Sequence, residues 1–458
     1  MCGIFGISGP RARLAKLVSQ GLFALQHRGQ EAAGIALYDG RELRVHKGAG
    51  LVPSVMANNP LNDFEATTAI GHTRYSTYGS SGLANAQPLV AVHRGIHYAI
   101  AHNGNLSNAN DLIARLEEGG TIFATDSDTE ALLKLYVTAE GEPIDRLNTV
   151  ARSLMGAYSL LIMQDDLLVA VRDPHGFRPL WLGRLGDMAV FSSEDSAFNL
   201  VGARPVRELG RGEILVFREG RELASGRIEL ELPEAQCVFE LIYFTRPDSA
   251  VFGRQAYGFR KACGRALALR EDREIDLVSP VPDSGLPAAL GFSEASGKPL
   301  EMALIRNHYV GRSFIQPSVA SRREVVRNKL LPLRWVLEGA SIALVDDSIV
   351  RGTTSRLIVE LLRDFGAREV HLRIASPPLT SPCFFGIDMP TREELLASGR
   401  SIEEIAKFLG ADSVRYLDLD DLRAILGQDA GRFCYACFTG EYPAYSLPSK
   451  EPYRRIRR

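Results

Sequence analysis

Residues 1–7 read Met1-Cys2-Gly3-Ile4-Phe5-Gly6-Ile7, and the fold of the first half turns on them. The run Ile4-Phe5-Gly6-Ile7 has the apolar density of a buried strand. Chain termini are ordinarily polar and loosely held, so a cysteine at the tip of a buried strand stands out. Removal of Met1, which the small Cys2 side chain permits, would leave a thiol and an α-amine on one residue. An α-amine of ordinary pKa, about 7.7–8.0, can take the thiol proton near neutrality. The result is a nucleophile that carries its own base. The plain alternative is that position two has no function.

Outward from this strand the first half alternates strands and turns. Ile96-His97-Tyr98-Ala99-Ile100-Ala101 leads into Asn103-Gly104, a dipeptide that predicts a tight turn. Leu160-Leu161-Ile162-Met163 and Leu167-Leu168-Val169-Ala170-Val171 flank Gln164-Asp165-Asp166 and predict a hairpin. Leu14, Leu17, Val18, Leu22 and Leu25 fall at helical spacing. Ser127-Asp128-Thr129-Glu130 has the capping-box form ahead of Ala131-Leu132-Leu133. Many strands with few helices predict a layered α+β unit. Beyond about residue 232 helices alternate with short apolar strands at 277–281, 341–345 and 370–375, which predicts a parallel α/β sheet. The expected division is 1–232 and 233–458, with the boundary near Glu231-Leu232-Pro233-Glu234. No internal repeat or low-complexity tract interrupts either part, and the basic tail Tyr453–Arg458 reads as a solvated end.

The chain has 458 residues, 45% of them hydrophobic and 24% charged, with a formal net charge of −2. That length implies two or three domains. A near-neutral balance offers no global field for nucleic acid or a membrane surface. No apolar stretch reaches the ~18 residues of a spanning helix, and no leader is evident, so a cytoplasmic location is expected. Six cysteines in such a chain argue for thiols, a nucleophile or metal ligands rather than a disulfide framework.

Residues 342–355, IALVDDSIVRGTTS, carry a second site. An apolar strand ends in Asp346 and Asp347. A turn containing Ser348, Arg351, Gly352, Thr353 and Thr354 follows, then a helix from Leu357 to Leu362. Small residues let backbone N–H groups approach a phosphate, and the helix N-terminus adds a favourable dipole. Carboxylates cannot face phosphate, so they suit sugar hydroxyls or a divalent cation beside it. The alternative is an acidic loop at a sheet edge. The stretch resembles the phosphoribosylpyrophosphate motif of the type I phosphoribosyltransferases. Val281-Pro282-Asp283-Ser284-Gly285 could cup a pyrophosphate. The basic segment 306–329, with Arg312, Arg322, Arg323, Arg327 and Lys329, could close over it as a lid; ordinary solvent exposure is the competing account for most of these arginines.

Five motifs in order, MCGIFG, Gln26–Gly34, Gly71–Thr77, His102–Asn105 and Ser127–Glu130, resemble the N-terminal-nucleophile glutamine amidotransferases. With the phosphate motif, and with Arg172–Leu180, nearly the whole chain resembles the amidophosphoribosyltransferase family. The resemblance implies an αββα sandwich followed by a phosphoribosyltransferase sheet. It implies glutamine hydrolysis coupled to ammonia transfer onto Mg²⁺-bound 5-phosphoribosyl-1-pyrophosphate. The products are 5-phosphoribosylamine, glutamate and pyrophosphate, at the first step of de novo purine synthesis. Carried over by residue, Cys2 is the nucleophile and Asn103 and Gly104 form the oxyanion hole. Arg74 and Asp128 hold the carboxylate and ammonium of glutamine, an arginine–carboxylate and aspartate–ammonium pairing that suits both ends. Arg28 lies beside them. For Arg74 and Asp128 a surface ion pair is the competing account, and for Asp128 also a helix N-terminal charge. Purine-nucleotide inhibition and a homo-oligomer, a tetramer, are further implications.

The remaining cysteines include a C-x-x-C pair, Cys434 and Cys437, with Cys237 and Cys383 upstream. Spacing alone leaves a redox dithiol, a zinc site or an iron–sulfur cluster open. In one branch of the family four cysteines in such contexts hold a 4Fe–4S cluster, which the resemblance therefore implies here in a structural role. Cys263 reads as a buried apolar residue. Members of that branch commonly carry a propeptide; with Met1 alone ahead of Cys2, methionine removal is the expected maturation. Several relatives place a serine at the position of Gly285, so Ser284 is the expected hydroxyl ligand beside the magnesium. Two rival functions are a glucosamine-6-phosphate synthase, which lacks the 342–355 motif, and a phosphoribosylpyrophosphate-sensing RNA-binding regulator. The full set Cys2, Arg74, Asn103, Gly104 and Asp128 and the near-neutral charge argue against the second.

Overall fold

The structure is a computed structural model and describes residues 1–76, 79, 82–308 and 328–443. Arg312, Arg322, Arg323, Arg327, Thr77 and the tail Tyr453–Arg458 lie outside the described residues.

Two antiparallel sheets are stacked in the first half. One has seven strands in the order Arg204–Glu208, Trp181–Leu185, Met188–Ser192, Gly3–Ala12, Ala66–Arg74, Ala32–Tyr38, Leu43–Ala49. The other has six, in the order Arg221–Arg227, Glu213–Arg218, Leu167–Arg172, Gly156–Gln164, Ile96–Leu106, Leu89–His93. The opening run is the buried strand its composition predicts, and its side chains divide with period two. Ile4 joins Ala36, Ile70, Ala101 and Leu161 between the sheets. Phe5 and Ile7 turn to the opposite face and pack with Val18 and Leu22 of the helix Ala15–Ala24. On the outer face of the second sheet lie the helices Ala109–Glu118, Asp128–Thr138 and Pro143–Ala151, sharing a core with Tyr98, Tyr158 and Leu160. Four layers result, helix, sheet, sheet, helix, as the resemblance implies.

The hairpin forms as expected, with Gly156–Gln164 paired to Leu167–Arg172. Two local expectations need correction. Asn103-Gly104 makes no turn: both residues lie inside the strand Ile96–Leu106, with Asn103 opposite Ser159 and Gly104 opposite Tyr158. The glycine serves close approach instead, since a Cβ there would lie 2.0 Å from the Ala157 carbonyl oxygen. The capping box at Ser127 is half realised. Ser127 Oγ accepts from the Thr129 N–H at 3.2 Å, but the Glu130 carboxylate turns away to the N–H groups of Ala124 and Thr125.

In the second half four parallel strands run in the order Leu277–Pro280, Ser341–Asp346, Glu369–Ile374, Ser413–Tyr416. The fourth was not anticipated; four residues with two apolar side chains give too short a pattern to read. Ile342 and Leu344 face the helices Thr353–Asp364 and Ile402–Leu409. Ala343 and Val345 face the helices Ala256–Ala268 and Leu286–Ser296. Cys263 is buried on the first of these and its thiol is pushed up to about 12 by burial, as befits an apolar role.

The halves meet along one seam. Asn105 Nδ2 donates to the Phe384 carbonyl at 2.9 Å and Arg178 Nε to the Phe385 carbonyl at 3.0 Å. Phe177 stacks on Phe385 with centroids 4.4 Å apart. Gly386, at φ +97°, packs so closely on the strand Ile96–Leu106 that a Cβ would lie 3.0 Å from the Gly104 carbonyl.

Helices Ala256–Ala268 and Leu286–Ser296 cross through two glycines. A Cβ on Gly264 would lie 1.8 Å from the Ala288 carbonyl oxygen, and one on Gly291 would lie 1.9 Å from that of Lys261. Both obstacles are backbone. Gly264→Ala should therefore lower the chemical-unfolding midpoint, because overpacking of about 1–3 kcal/mol outweighs the roughly 1 kcal/mol that alanine gains in a helix. An unchanged or raised midpoint would show that the helices can part.

Candidate active sites

The two sheets of the sandwich each bring one side of the first site. Strand Gly3–Ala12 runs antiparallel to Ala66–Arg74 with Gly3 opposite Thr73, so Cys2 lies beside Arg74 and Tyr75. The Cys2 thiol donates to the Tyr75 carbonyl at 3.5 Å. From the other sheet, Asn103 Oδ1 accepts from the Cys2 backbone nitrogen at 3.4 Å. The Asn103 side chain is fully enclosed, and its Nδ2 has no partner among the described residues. A buried amide donor without an acceptor is costly, unless an oxygen from a bound molecule completes it.

Burial pushes the Cys2 thiol above its ordinary range, opposed by the terminal amine and by Arg74. The resting group is thus a thiol and needs a proton acceptor. The same surroundings favour a neutral amine: the Met1 α-amine is brought down to about 6, by desolvation and by the positive charges of Arg178 and Arg28.

Arg74 and Asp128 are both buried, which removes the surface-ion-pair account. Asp128 opens the helix Asp128–Thr138, and its Oδ2 accepts the N–H of Leu106, two residues past Gly104, at 2.9 Å. Arg28 is enclosed completely. Its Nε donates to the Cys2 carbonyl at 3.1 Å, and its other nitrogens meet Glu194 and Glu240, the latter at 2.7 Å. Glu194 and Glu240 were missed in the sequence. Each pairs with a residue more than 160 positions away, and no local motif marks them.

At the second site Asp346 ends its strand, and Asp347 N–H donates to Asp346 Oδ1 at 2.9 Å. Gly352, at φ +74°, turns the chain into the helix Thr353–Asp364, where Thr353 and Thr354 form an exposed first turn. A Cβ on Gly352 would meet Leu396 at 2.6 Å. Burial, and for Asp346 the neighbouring Asp347 charge, drive both carboxyls up, while hydrogen bonds from Ser284 and Ser348 oppose the rise at Asp347. Gly285 can carry no side chain here, since a Cβ would lie 2.3 Å from the Val345 carbonyl oxygen. The hydroxyls beside Asp347 accordingly come from Ser284 and Ser348, the latter donating to Asp347 Oδ1. Arg351 turns to Glu394 at 3.4 Å, and Arg306 pairs with Asp283. The stems of the 306–329 segment meet where the Asn307 N–H donates to the Lys329 carbonyl at 2.8 Å.

The four other cysteines converge although they come from three parts of the chain. Gln236–Cys237 pairs in parallel with Phe433–Cys434, placing Cys237 opposite Cys434. The Thr380 and Ser381 N–H groups hold the Cys437 carbonyl at 3.0 and 3.1 Å. Cys237, Cys383, Cys434 and Cys437 line one small cavity with Phe177, Phe239 and Phe385. Burial raises Cys237, Cys434 and Cys437, and neighbouring sulfurs raise them further. As they stand, among the described residues, no three His, Cys, Asp or Glu side chains are drawn together tightly enough to form a ready metal site. The donor set is nonetheless all thiol, in an apolar pocket with Arg178 adjacent to offset thiolate charge.

Comparison with known proteins agrees with this geometry. Residues 72–199 match the glutamine amidotransferase domain family. The chain is 48% identical over 447 residues to amidophosphoribosyltransferase 1, chloroplastic, of Arabidopsis thaliana, covering 96% of this chain and 78% of that protein. It is 46% identical over 462 residues to the amidophosphoribosyltransferase of Methanocaldococcus jannaschii, covering 97% and 98%. The solved glutamine phosphoribosylpyrophosphate amidotransferase of B. subtilis, complexed with ADP and GMP, superposes with a TM-score of 0.91 at 44% identity, over 98% of this chain and 99% of that one. With identity of this level sustained along nearly its entire length, the chain belongs to the amidophosphoribosyltransferase family.

Proposed function

We propose that this protein hydrolyses glutamine in residues 1–232 and uses the ammonia in residues 233–458 to make 5-phosphoribosylamine from 5-phosphoribosyl-1-pyrophosphate, the entry step of purine synthesis. One observation carries the proposal: Cys2 is enclosed against the Asn103 amide, whose buried donor end awaits an oxygen. After Met1 is removed, the Cys2 amine takes the thiol proton as sulfur attacks the amide carbon. The tetrahedral oxygen is received by Asn103 Nδ2 and the Gly104 N–H. Arg74 and Asp128 grip the two ends of the amino acid, and Arg28 holds the Cys2 carbonyl so that thiol and amine keep their orientation. Collapse expels ammonia, which takes its proton from the ammonium, and leaves a thioester; water then releases glutamate and frees the thiol.

At the second site ammonia displaces pyrophosphate from C1 of the sugar, and the surplus proton leaves with solvent. The backbone of the Ser348–Thr354 turn, with Thr353 and Thr354, would cradle the 5-phosphate while Asp346 and Asp347 orient the ribose hydroxyls. Lys329 and Arg351 would approach the phosphates. Asp346, Asp347 and Ser284 are hard oxygen donors and fit magnesium, which when bound would neutralise charge on the leaving pyrophosphate. The four cysteines fit a 4Fe–4S cluster, which would fasten residues 383–389 and 433–437 to Cys237 beside Phe177 and Arg178 of the glutamine half. The ADP and GMP of the B. subtilis relative support purine nucleotides as regulators of this enzyme too. A homo-oligomer, a cytoplasmic location consistent with free thiols, and no dealings with nucleic acid complete the proposal.

The decisive assay is pyrophosphate release with glutamine, with ammonia and with neither. Cys2→Ala should lose the glutamine-driven rate and keep the ammonia-driven rate. Asp347→Asn should do the converse, keeping glutamine hydrolysis while pyrophosphate release collapses. Loss of both activities in either variant would sink the two-site scheme.

The amine must be neutral to act, so glutamine hydrolysis is present above its pKa and lost as pH falls through it. Burial lowers the Met1 amine, and the Cys2 amine left after Met1 is removed is expected to be lowered in the same way, so the acid limb should have its midpoint below the ordinary 7.7–8.0 or so. A midpoint at or above that range would remove the depressed amine from the mechanism.

Anaerobically purified enzyme should be brown, with roughly four iron atoms per chain, and chelation should loosen the contacts of residues 383–389. An active, colourless, iron-free preparation would falsify the cluster assignment.

A further inference from the structure

The carboxylate that grips the ammonium end of glutamine in the scheme above sits in a buried polar net whose other members touch no substrate there. Asp128 Oδ2 accepts the Leu106 N–H at 2.9 Å, and Oδ1 accepts the Thr129 hydroxyl at 3.2 Å. The Thr129 oxygen also takes the Gln87 Nε2–H at 2.9 Å and faces His102 Nδ1 at 3.0 Å. Gln87 uses its other end on the same net, Oε1 accepting the His102 backbone N–H at 2.8 Å. That contact sets the amide's orientation: a backbone N–H needs the oxygen, which leaves the nitrogen for Thr129. Gln87, His102, Asp128 and Thr129 are all buried, Thr129 completely.

A hydroxyl has one proton and two lone pairs. Gln87 Nε2 fills one lone pair. When His102 Nδ1 donates to the second, the proton is left for Asp128 Oδ1. The members of the net come from separate elements. His102 lies in the strand Ile96–Leu106, and Asp128 and Thr129 open the helix Asp128–Thr138. Gln87 lies just ahead of the strand Leu89–His93, in a stretch clamped by the other sheet. Lys47 Nζ donates to the Ala86 carbonyl at 2.8 Å, and a Cβ on Gly34 would lie 2.4 Å from the Gln87 carbonyl oxygen. Gly34 and Lys47 stand in the sheet that carries Arg74. The Thr129 hydroxyl is therefore tied to both sheets, and through it the Asp128 carboxylate keeps a set place relative to Arg74.

We infer that Thr129, seated by Gln87 and His102, is a positioning residue that fixes the Asp128 carboxylate and so makes the site selective for amides bearing an α-ammonium. The inference rests on the amidotransferase function proposed above. A site whose buried polar group is fixed in place rejects an analogue that leaves the group unpaired. If the carboxylate is free to swing, that selectivity falls. Mere scaffolding by Thr129 would weaken every substrate alike, so selectivity rather than stability tests the role.

The experiment measures kcat and KM of the full-length enzyme for glutamine and for glutaramate, which is glutamine without its α-amine. Ammonia-driven pyrophosphate release and the unfolding midpoint are followed alongside. Wild type should hydrolyse glutamine and discriminate strongly against glutaramate. Thr129→Val keeps the shape and removes the hydroxyl. It should raise KM for glutamine about tenfold or more, the expected cost of losing a hydrogen bond to a charged group, with kcat near wild type. Its weak rate with glutaramate and its ammonia-driven release should not change. That split marks lost substrate binding rather than lost chemistry. Thr129→Ser retains the hydroxyl and should retain the selectivity. Gln87→Met unseats the hydroxyl without touching Asp128; it should show the same selective loss in smaller degree, and it keeps the test open if Thr129→Val fails to fold. Equal losses on both amides would overturn the role. So would wild-type selectivity in folded Thr129→Val or Gln87→Met, a Thr129→Ser as poor as Thr129→Val, or a wild type that accepts glutaramate as readily as glutamine. A wild type that hydrolyses neither amide would instead bring down the amidotransferase reading, and this role with it.

Discussion

Arg28, Arg178, Glu194 and Glu240 meet with no exposure to solvent, and the remainder of the molecule is arranged around that encounter. A single charge at such depth costs several kcal/mol after relaxation, and removing one member of a buried pair typically costs about 3–5 kcal/mol. The group persists because every charge is answered. Arg28 lies between two carboxylates, while Arg178 shares Glu240 at 3.3 Å and holds the Phe385 carbonyl. Burial alone would raise Glu194, but His27 and Arg28 hold it far below the usual carboxylate range. Its other oxygen accepts from the Arg246 N–H and the Ser249 hydroxyl. Arg28, Arg178 and Glu194 come from the sandwich; Glu240, Arg246 and Ser249 come from beyond it. The Cys2 backbone is therefore anchored, through Arg28, by charges that only the joined halves satisfy.

Much of this was legible in the sequence. Ile4-Phe5-Gly6-Ile7 announced its strand because burial on both faces demands an uninterrupted apolar run. The Asp346-Asp347 pair announced a strand end and a turn into a helix, because two acids and a small-residue stretch interrupt the apolar run there. The order of the five amidotransferase-like segments sufficed to show the family resemblance, and Cys2, Arg74, Asn103 and Asp128 from them are all buried in the sandwich. The meeting of Cys237, Cys383, Cys434 and Cys437 could be expected only through the family resemblance, since spacing left three metal and redox options open.

What escaped had no local signature. Asn103-Gly104 looked like a turn because the dipeptide permits one; the sheet required a glycine there for a different reason, contact with Ala157 and with Gly386. The strand Ser413–Tyr416 was too short for its alternation to register. Glu194 and Glu240 are ordinary acids in sequence and become exceptional only by burial. Glu130 resembles a capping residue but satisfies a neighbouring loop instead, because the Ser127 N–H it would bind donates to the Thr125 hydroxyl. In each case a distant partner overrode a correct local preference.

The short parallel pairing of Gln236–Cys237 with Phe433–Cys434 joins residues nearly two hundred positions apart. A ribosome releases the second of these segments long after the first. Until the two segments pair, the thiol pocket is incomplete, and residues 383–389 are held over the strand that carries Asn103 by Asn105, Phe177 and Arg178 without it. A truncated or stalled nascent chain would thus hold a finished sandwich but an unfinished thiol pocket. The topology itself withholds that pocket from fragments, an inbuilt proofreading of length.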